Sequence, residues 1–254
     1  MTDGLDAAAV EAFAAMHVPG KPLVLYNIWD PGSAKAVAEA GAPAIATGSW
    51  GVACAMGFKD GETLPLDYAI DNLVRIRGVT DLPVTIDMEA GYGDDAASVG
   101  ASVARAAAAG AVGINMEDKW PGPRTMIDTA EQVERLRAAA ETGLFVNARC
   151  DLAIVTPEAD HDAALVDAML ERARAYADAG ARGLFAPFLK SPALIERLCK
   201  ASPLPVNILM GASVPDIATL SGLGVARISH GHGPWAEAMQ ALTEAARTLY
   251  QPLR

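Results

Sequence analysis

Short apolar runs recur along the chain, and each is followed by an alanine-rich stretch with helical spacing of its apolar residues. The runs fall at 22–28, 44–48, 83–89, 113–117, 144–151, 183–188, 205–210 and 226–230, and the helical stretches at 31–40, 66–77, 95–109, 129–141, 160–179, 192–201, 214–221 and 234–250. Strand-length apolar runs alternating with amphipathic helices specify parallel strands, because a parallel pair needs a crossover between its members. Glu39-Ala40-Gly41-Ala42, Ala108-Ala109-Gly110-Ala111 and Asp178-Ala179-Gly180-Ala181 nearly repeat, each marking a helix end that turns into the next strand. Eight such units in 254 residues match the arithmetic of an α/β chain closed into one (β/α)8 TIM-type barrel, expected as a single domain over residues 1–254. An open doubly wound sheet would need a glycine-rich phosphate turn, and Gly91-Tyr92-Gly93 is not followed by the rest of G-x-G-x-x-G.

The composition suits a large core, with 52% hydrophobic and 20% charged residues. A net charge of −11 argues against nucleic acid or an anionic membrane as partner, and directs attention to a small-molecule ligand. The first residues, with Asp3, Asp6 and Glu11, lack the basic start of a secretory leader, and no apolar run reaches membrane-spanning length. Cys54, Cys150 and Cys199 form neither a disulfide framework nor a zinc pair, so a cytoplasmic location is expected.

In barrels of this type the chemistry lies where the strands end, and strand residues two apart point the same way. The strand ends here are polar. Asp87 and Glu89 share a face of strand 3, with Glu117 on the adjacent strand. Three carboxylates turned into a barrel would repel and be costly to bury, and a hard cation removes that cost, so Mg2+ or Mn2+ is expected at Asp87, Glu89 and Glu117. Arg149 faces the same space, with a planar fork suited to a carboxylate or phosphate, or else to a salt bridge with Asp151 or Glu117. Thr47-Gly48-Ser49-Trp50-Gly51 reads either as a tight turn or as a run of amides facing an oxyanion. Asp30, before Pro31, reads as a site residue or a helix cap. Lys119 and Arg124, on the loop after strand 4, read as groups closing over a substrate or as solvated charges. His230 and His232 read as caps or anion contacts sooner than as metal ligands, lacking a third soft ligand nearby. Trp29, Trp50, Trp120 and Trp235 each follow a strand, as a ligand rim or as cover for the barrel top.

The series Asp87-Met88-Glu89-Ala90-Gly91-Tyr92-Gly93, Asn115-Met116-Glu117-Asp118-Lys119 and Asn147-Ala148-Arg149-Cys150-Asp151 resembles the isocitrate lyase/phosphoenolpyruvate mutase superfamily. Asn27, Asp30, Gly57-Phe58-Lys59-Asp60 and Leu204-Pro205-Val206-Asn207 extend the resemblance over most of the chain. The resemblance implies a Mg2+- or Mn2+-dependent barrel, a homodimer or homotetramer, acting on 2-oxo or malate-like acids by breaking or moving a bond beside an enolate. It implies that Asp87 binds the metal directly while Glu89 and Glu117 hold its waters. Ser49 and Trp50 would grip the substrate carboxylate through their amides, Arg149 would bind the substrate's oxygens, and Asp60 would stand near the reacting group. Beside what the resemblance implies, Asn207 is expected to contact the substrate and Lys119 to take part in the chemistry from the strand-4 loop. The loop Lys119-Trp120-Pro121-Gly122-Pro123-Arg124 departs from the Lys-Lys/Arg-Cys-Gly-His loop of isocitrate and methylisocitrate lyases, and so lacks their acid. Phe185-Ala186-Pro187-Phe188 lacks the His and Ser that mutase-like members carry after strand 6. The expectation is therefore a carbon–carbon lyase or decarboxylase. The alternatives are phosphonopyruvate mutase or hydrolase chemistry on a carbon–phosphorus bond, and a 2-oxo-acid-binding barrel without turnover.

Overall fold

The computed structural model describes residues 5–122 and 125–250. Its eight strands are β1 (Leu23–Leu25), β2 (Ile45–Ala46), β3 (Val84–Asp87), β4 (Gly113–Glu117), β5 (Phe145–Arg149), β6 (Gly183–Ala186), β7 (Val206–Leu209) and β8 (Arg227–Ser229), each inside an expected run. All pair in parallel in the order β1-β8-β7-β6-β5-β4-β3-β2. A parallel bridge between Ile28 and Thr47 joins the two outer strands just beyond their ends, and the amides of Ile28 and Gly48 carry the hydrogen bonds across it. With that seam the sheet closes as a (β/α)8 TIM-type barrel.

The helices are α1 (Ala7–Ala15), α2 (Pro31–Glu39), α3 (Ser49–Ala55), α4 (Leu66–Arg77), α5 (Ala96–Ala108), α6 (Thr129–Ala140), α7 (Leu152–Val155), α8 (Ala163–Asp178), α9 (Pro192–Ala201), α10 (Ile217–Gly222) and α11 (Gly233–Tyr250). Local chemistry sets their ends. Asp30 accepts the Ser33 amide at 2.7 Å and its own amide donates to Ser33 Oγ, so Asp30 caps α2. Gly110 and Gly180 follow α5 and α8 with φ of 90° and 98°, where a side chain would be strained. Three helices were not expected from the sequence: α1, α3 and α7. Helix α1 lies across one end of the barrel, where Phe13 is fully buried edge-on against Phe145 and His17 stacks on the same ring. That packing seals the end opposite the strand C-termini and leaves the other end open. No helix among the described residues is long and apolar enough to cross a membrane.

Candidate active site

A cavity of about 240 Å³ opens at the C-terminal ends of the strands. Asp87 ends β3 on its wall, with Asn115 of β4 beside it and Arg149 at the end of β5, one strand further round. Ser49 and Trp50, the first residues of α3, and Asp60, on the loop before α4, complete the polar side. Five of the expected residues (Ser49, Trp50, Asp60, Asp87 and Arg149) thus converge on one space. Gly48 allows this crowding, since a Cβ there would stand 3.2 Å from the Gly231 carbonyl oxygen.

Asp87 is under-partnered. Its Oδ2 accepts the Ser49 amide at 3.3 Å and its Oδ1 the Glu89 amide at 3.2 Å, both long. Burial raises its pKa, against the pull of Arg149. Arg149 is anchored from behind: Nε and Nη2 donate to Asp151 at 2.6 and 2.9 Å, and Nη1 meets Glu117 at 2.8 Å. Burial acts to discharge the guanidinium, but Asp151 and Glu117 outweigh it and hold it charged. A guanidinium has five N–H groups; three are engaged by Asp151 and Glu117, and the side chain lines the cavity. Asp151 is fixed in turn, its amide donating to Asp118 at 2.7 Å. Asp118 also accepts the Tyr176 hydroxyl at 2.6 Å and meets Arg172 at 3.1 Å, a buried brace under the strand ends.

Glu89 and Glu117 do not join Asp87 as direct neighbours on the wall. Among the described residues no three Asp, Glu, His or Cys side chains stand close enough to hold one ion. Glu117 lies between Arg149 and Lys119, at 2.8 and 3.4 Å, with its pKa raised by burial. Glu89 has φ of 48° and is not on the wall of the main cavity, though it lines a smaller adjoining pocket together with Asp87. It accepts the amides of Gly61 and Glu62 at 2.7 and 2.6 Å and the Tyr92 hydroxyl at 2.9 Å, so it clasps the loop that carries Asp60. Burial, with Asp60 and Asp87 nearby, pushes its pKa up to about 8. The expected three-carboxylate cluster is therefore one wall carboxylate with two flanking carboxylates already engaged.

Two further expectations differ. Lys119 is drawn to Glu117 and the Trp120 carbonyl rather than to the cavity. Asn207 is buried one layer lower, paired with Ser229 at 3.1 Å, and does not reach the wall. Arg124 lies outside the described residues. Of the four tryptophans only Trp50 reaches the cavity, with its ring 5.5 Å from His232. His230 is held by Asn27 and the Leu25 carbonyl.

Sequence reasoning did not expect the apolar part of the lining: Phe185, Pro187, Phe188 and Leu209. It also missed Arg227, fully buried below the cavity with bonds to Ser229 and Asn115, whose pKa burial pulls down to about 9. Period-two alternation with Ser229 would have marked Arg227 as inward-facing.

The sequence profile of phosphoenolpyruvate phosphomutase matches residues 13–250. A solved structure from Burkholderia cenocepacia J2315, provisionally assigned as a phosphonomutase, is similar with TM-score 0.93 and 46% identity, covering 95% of this chain and 98% of that one. An uncharacterised protein of Mycobacterium tuberculosis is 35% identical over 94% of this chain and 88% of its own. The 2-methylisocitrate lyase of Escherichia coli is 30% identical over 96% of this chain and 84% of its own. With its barrel, its strand-end motifs and a profile match over nearly its whole length, the chain belongs to the isocitrate lyase/phosphoenolpyruvate mutase superfamily.

Proposed function

We propose that this chain is a Mg2+- or Mn2+-dependent lyase or decarboxylase that cleaves a carbon–carbon bond of a small 2-oxo or malate-like acid. The observation that carries the reading is the wall shared by Asp87 and Arg149. Asp87 presents a buried carboxylate with two long hydrogen bonds and a raised pKa, hence a negative charge short of compensation. One carboxylate with room for water suits Mg2+, which takes few protein ligands and keeps several waters. Asp87 would hold the ion directly, and Glu89 and Glu117 would act on its waters. Bound with the acid, the metal supplies Lewis-acid stabilisation of the negative charge that develops as the bond breaks, typically worth several kcal/mol.

The remaining work falls to the chain. The Arg149 guanidinium binds the substrate's oxygens, and the Ser49 and Trp50 amides at the start of α3 bind its carboxylate. Asp151 and Glu117 keep the guanidinium aimed. Asp60 forms no hydrogen bond among the described residues, and its carboxylate serves as the acceptor for a substrate hydroxyl proton. Unpaired cysteines fit a cytoplasmic location, and the exposed apolar face of α11 fits a homodimer or homotetramer.

The test pairs chemistry with metal binding. In NMR of the protein with oxaloacetate, 2-methylisocitrate, dimethylmalate and phosphonopyruvate, pyruvate should form with Mg2+ and not with EDTA. Asp87→Ala should lose Mn2+ binding by electron paramagnetic resonance while keeping its circular dichroism. Unchanged Mn2+ affinity in that variant sinks the site assignment. The 46% identity to the provisionally assigned phosphonomutase favours carbon–phosphorus chemistry as a second reading, and phosphate release or a new phosphorus resonance in the same experiment would select it.

A further inference from the structure

Asp60 stands on the loop between α3 and α4, and that loop is fastened to the turn after β3 by residues that do not line the main cavity. Carbon anchors its two ends: the Phe58 ring lies 5.8 Å from that of Tyr68 on α4, and Leu64 is buried in the core. Thr63 Oγ1 donates to the Lys59 carbonyl and closes the loop on itself. Between these points four hydrogen bonds cross to the neighbouring turn. The Gly61 and Glu62 amides donate to one oxygen of Glu89 at 2.7 and 2.6 Å. The Tyr92 amide donates to the Glu62 carboxylate at 2.9 Å, and the Tyr92 hydroxyl donates to the other oxygen of Glu89, also at 2.9 Å. Each segment thus offers a carboxylate to the backbone of the other, and hydrogen bonds to an ionised group are the strong class.

The clasp is made against resistance from the backbone. Among the described residues five that are not glycine have left-handed backbones, and three of them are Glu62, Glu89 and Tyr92, with φ of 55°, 48° and 52°. Such conformations persist where the surrounding structure over-determines them, and they gather at functional sites. Glu62 is also drawn inward by charge. The fully buried Arg135 donates from Nη2 to the Ala90 carbonyl at 2.7 Å, in the same turn after β3, and its charge favours the ionised form of Glu62. The tip of the loop contrasts with this. Lys59 and Asp60 are exposed there, and Asp60 faces the cavity while its two successors face the clasp. The position of Asp60 is therefore set by bonds that its neighbours make.

We propose that Glu62 and Tyr92 are positioning residues, which with Glu89 latch the Asp60 loop over the cavity before any substrate arrives. Asp60 is then preset, and not carried in by a closure that substrate induces. That Asp60 acts on a substrate rests on the function proposed above; that its loop is latched does not.

Amide hydrogen exchange followed by NMR reads the latch directly, with the amides of β4 and β5 as the control for global unfolding. In the ligand-free wild type the Gly61 and Glu62 amides should already be protected, and Mg2+ with oxalate should slow them less than about threefold further. In Glu62→Ala, and separately in Tyr92→Phe, they should exchange about tenfold faster, the effect of losing one hydrogen bond. Glu62→Gln keeps an acceptor for the Tyr92 amide and should stay within about threefold of the wild type. Protection that appears only with Mg2+ and oxalate overturns the latch, and so does wild-type exchange in both Glu62→Ala and Tyr92→Phe. Turnover of the acids named above then reads the positioning. Glu62→Ala should lower kcat about tenfold, leave KM and Mn2+ affinity within about twofold, and be rescued by Glu62→Gln. A fall in Mn2+ affinity in place of kcat would overturn the positioning role. A wild type that is protected at Gly61 and Glu62 but turns over none of the acids would uphold the latch, and the role of Asp60 would fall with the proposed function.

Discussion

Glu89 is held by opposing forces. Two backbone amides and the Tyr92 hydroxyl donate to its carboxylate, which favours the charged form, yet burial and the negative Asp60 and Asp87 push its pKa to about 8. A carboxyl with a higher pKa in the folded than in the unfolded chain takes up its proton preferentially when folded. Its stabilising effect is present below the ordinary value of 4.5 and is lost as the pH rises towards 8. Asp87 and Asp118, also raised by burial, act in the same direction. The carboxylates shifted down, such as Asp95 and Asp216, are on the surface, where solvent screens their effect. In EDTA the urea midpoint should therefore fall between about pH 5 and pH 8. Mg2+ should flatten that fall, and so should Glu89→Gln. A midpoint that rises with pH in EDTA would count against this account of the buried carboxylates. The same residue shows where reading the sequence stops working. Period-two logic placed Asp87 on the cavity wall, where β3 is extended through it, whereas Glu89 follows with a left-handed backbone and lines only the adjoining pocket. Phe188 escaped notice for the same reason, since no residue type announces a left-handed phenylalanine.

Among the elements, α1 shows how little signal an alanine-rich helix carries. Val10 and Phe13 are its only buried side chains, one turn apart, and its cap is a single bond from the Ala9 amide to Asp6 at 3.0 Å. Too few large residues mark an apolar face for periodicity to register. Helix α3 was missed differently: it continues the apolar run of β2, and Gly48 caps it without a side chain. The strands were legible because nearly all their residues are buried, giving unbroken apolar runs, and most of the longer helices because their caps and apolar faces agree. The burial of Phe13 gives α1 a weight its sequence does not suggest. Phe13→Ala should cost about 3–5 kcal/mol, the usual range for emptying a buried aromatic site, measured by urea unfolding. Mn2+ affinity should stay within about twofold, because the ring closes the end of the barrel away from Asp87. A loss under about 1 kcal/mol would mean that α1 is not part of the cooperative fold.

At the scale of the whole molecule the barrel is layered along its axis. Phe13, His17 and Phe145 plug one end, Asn147, Asn207 and Arg227 form a buried polar layer, and the cavity opens above them. This order leaves the other surfaces of the chain free for assembly, and α11 carries the clearest mark of it. The start of the helix is tied to the barrel, with Pro234 buried and the Tyr26 hydroxyl donating to Glu237 at 2.6 Å. Its second half leaves the barrel surface, with Leu242, Leu249 and Tyr250 at least 60% exposed. Leu242 and Leu249 are two helical turns apart and so share a face with Met239 and Ala246 between and beside them. A contiguous apolar face on an acidic chain marks a contact with another protein surface, and a second copy is the occupant the homo-oligomer reading supplies. Sedimentation equilibrium should give a mass above the 26.3 kDa of one chain. Replacing Leu242 and Leu249 together by glutamate should return it to that value, with the circular dichroism unchanged because neither side chain packs in the core. A wild-type chain that sediments as a monomer at tens of micromolar would leave the seam on α11 without a second copy to cover it, and the homo-oligomer would be abandoned.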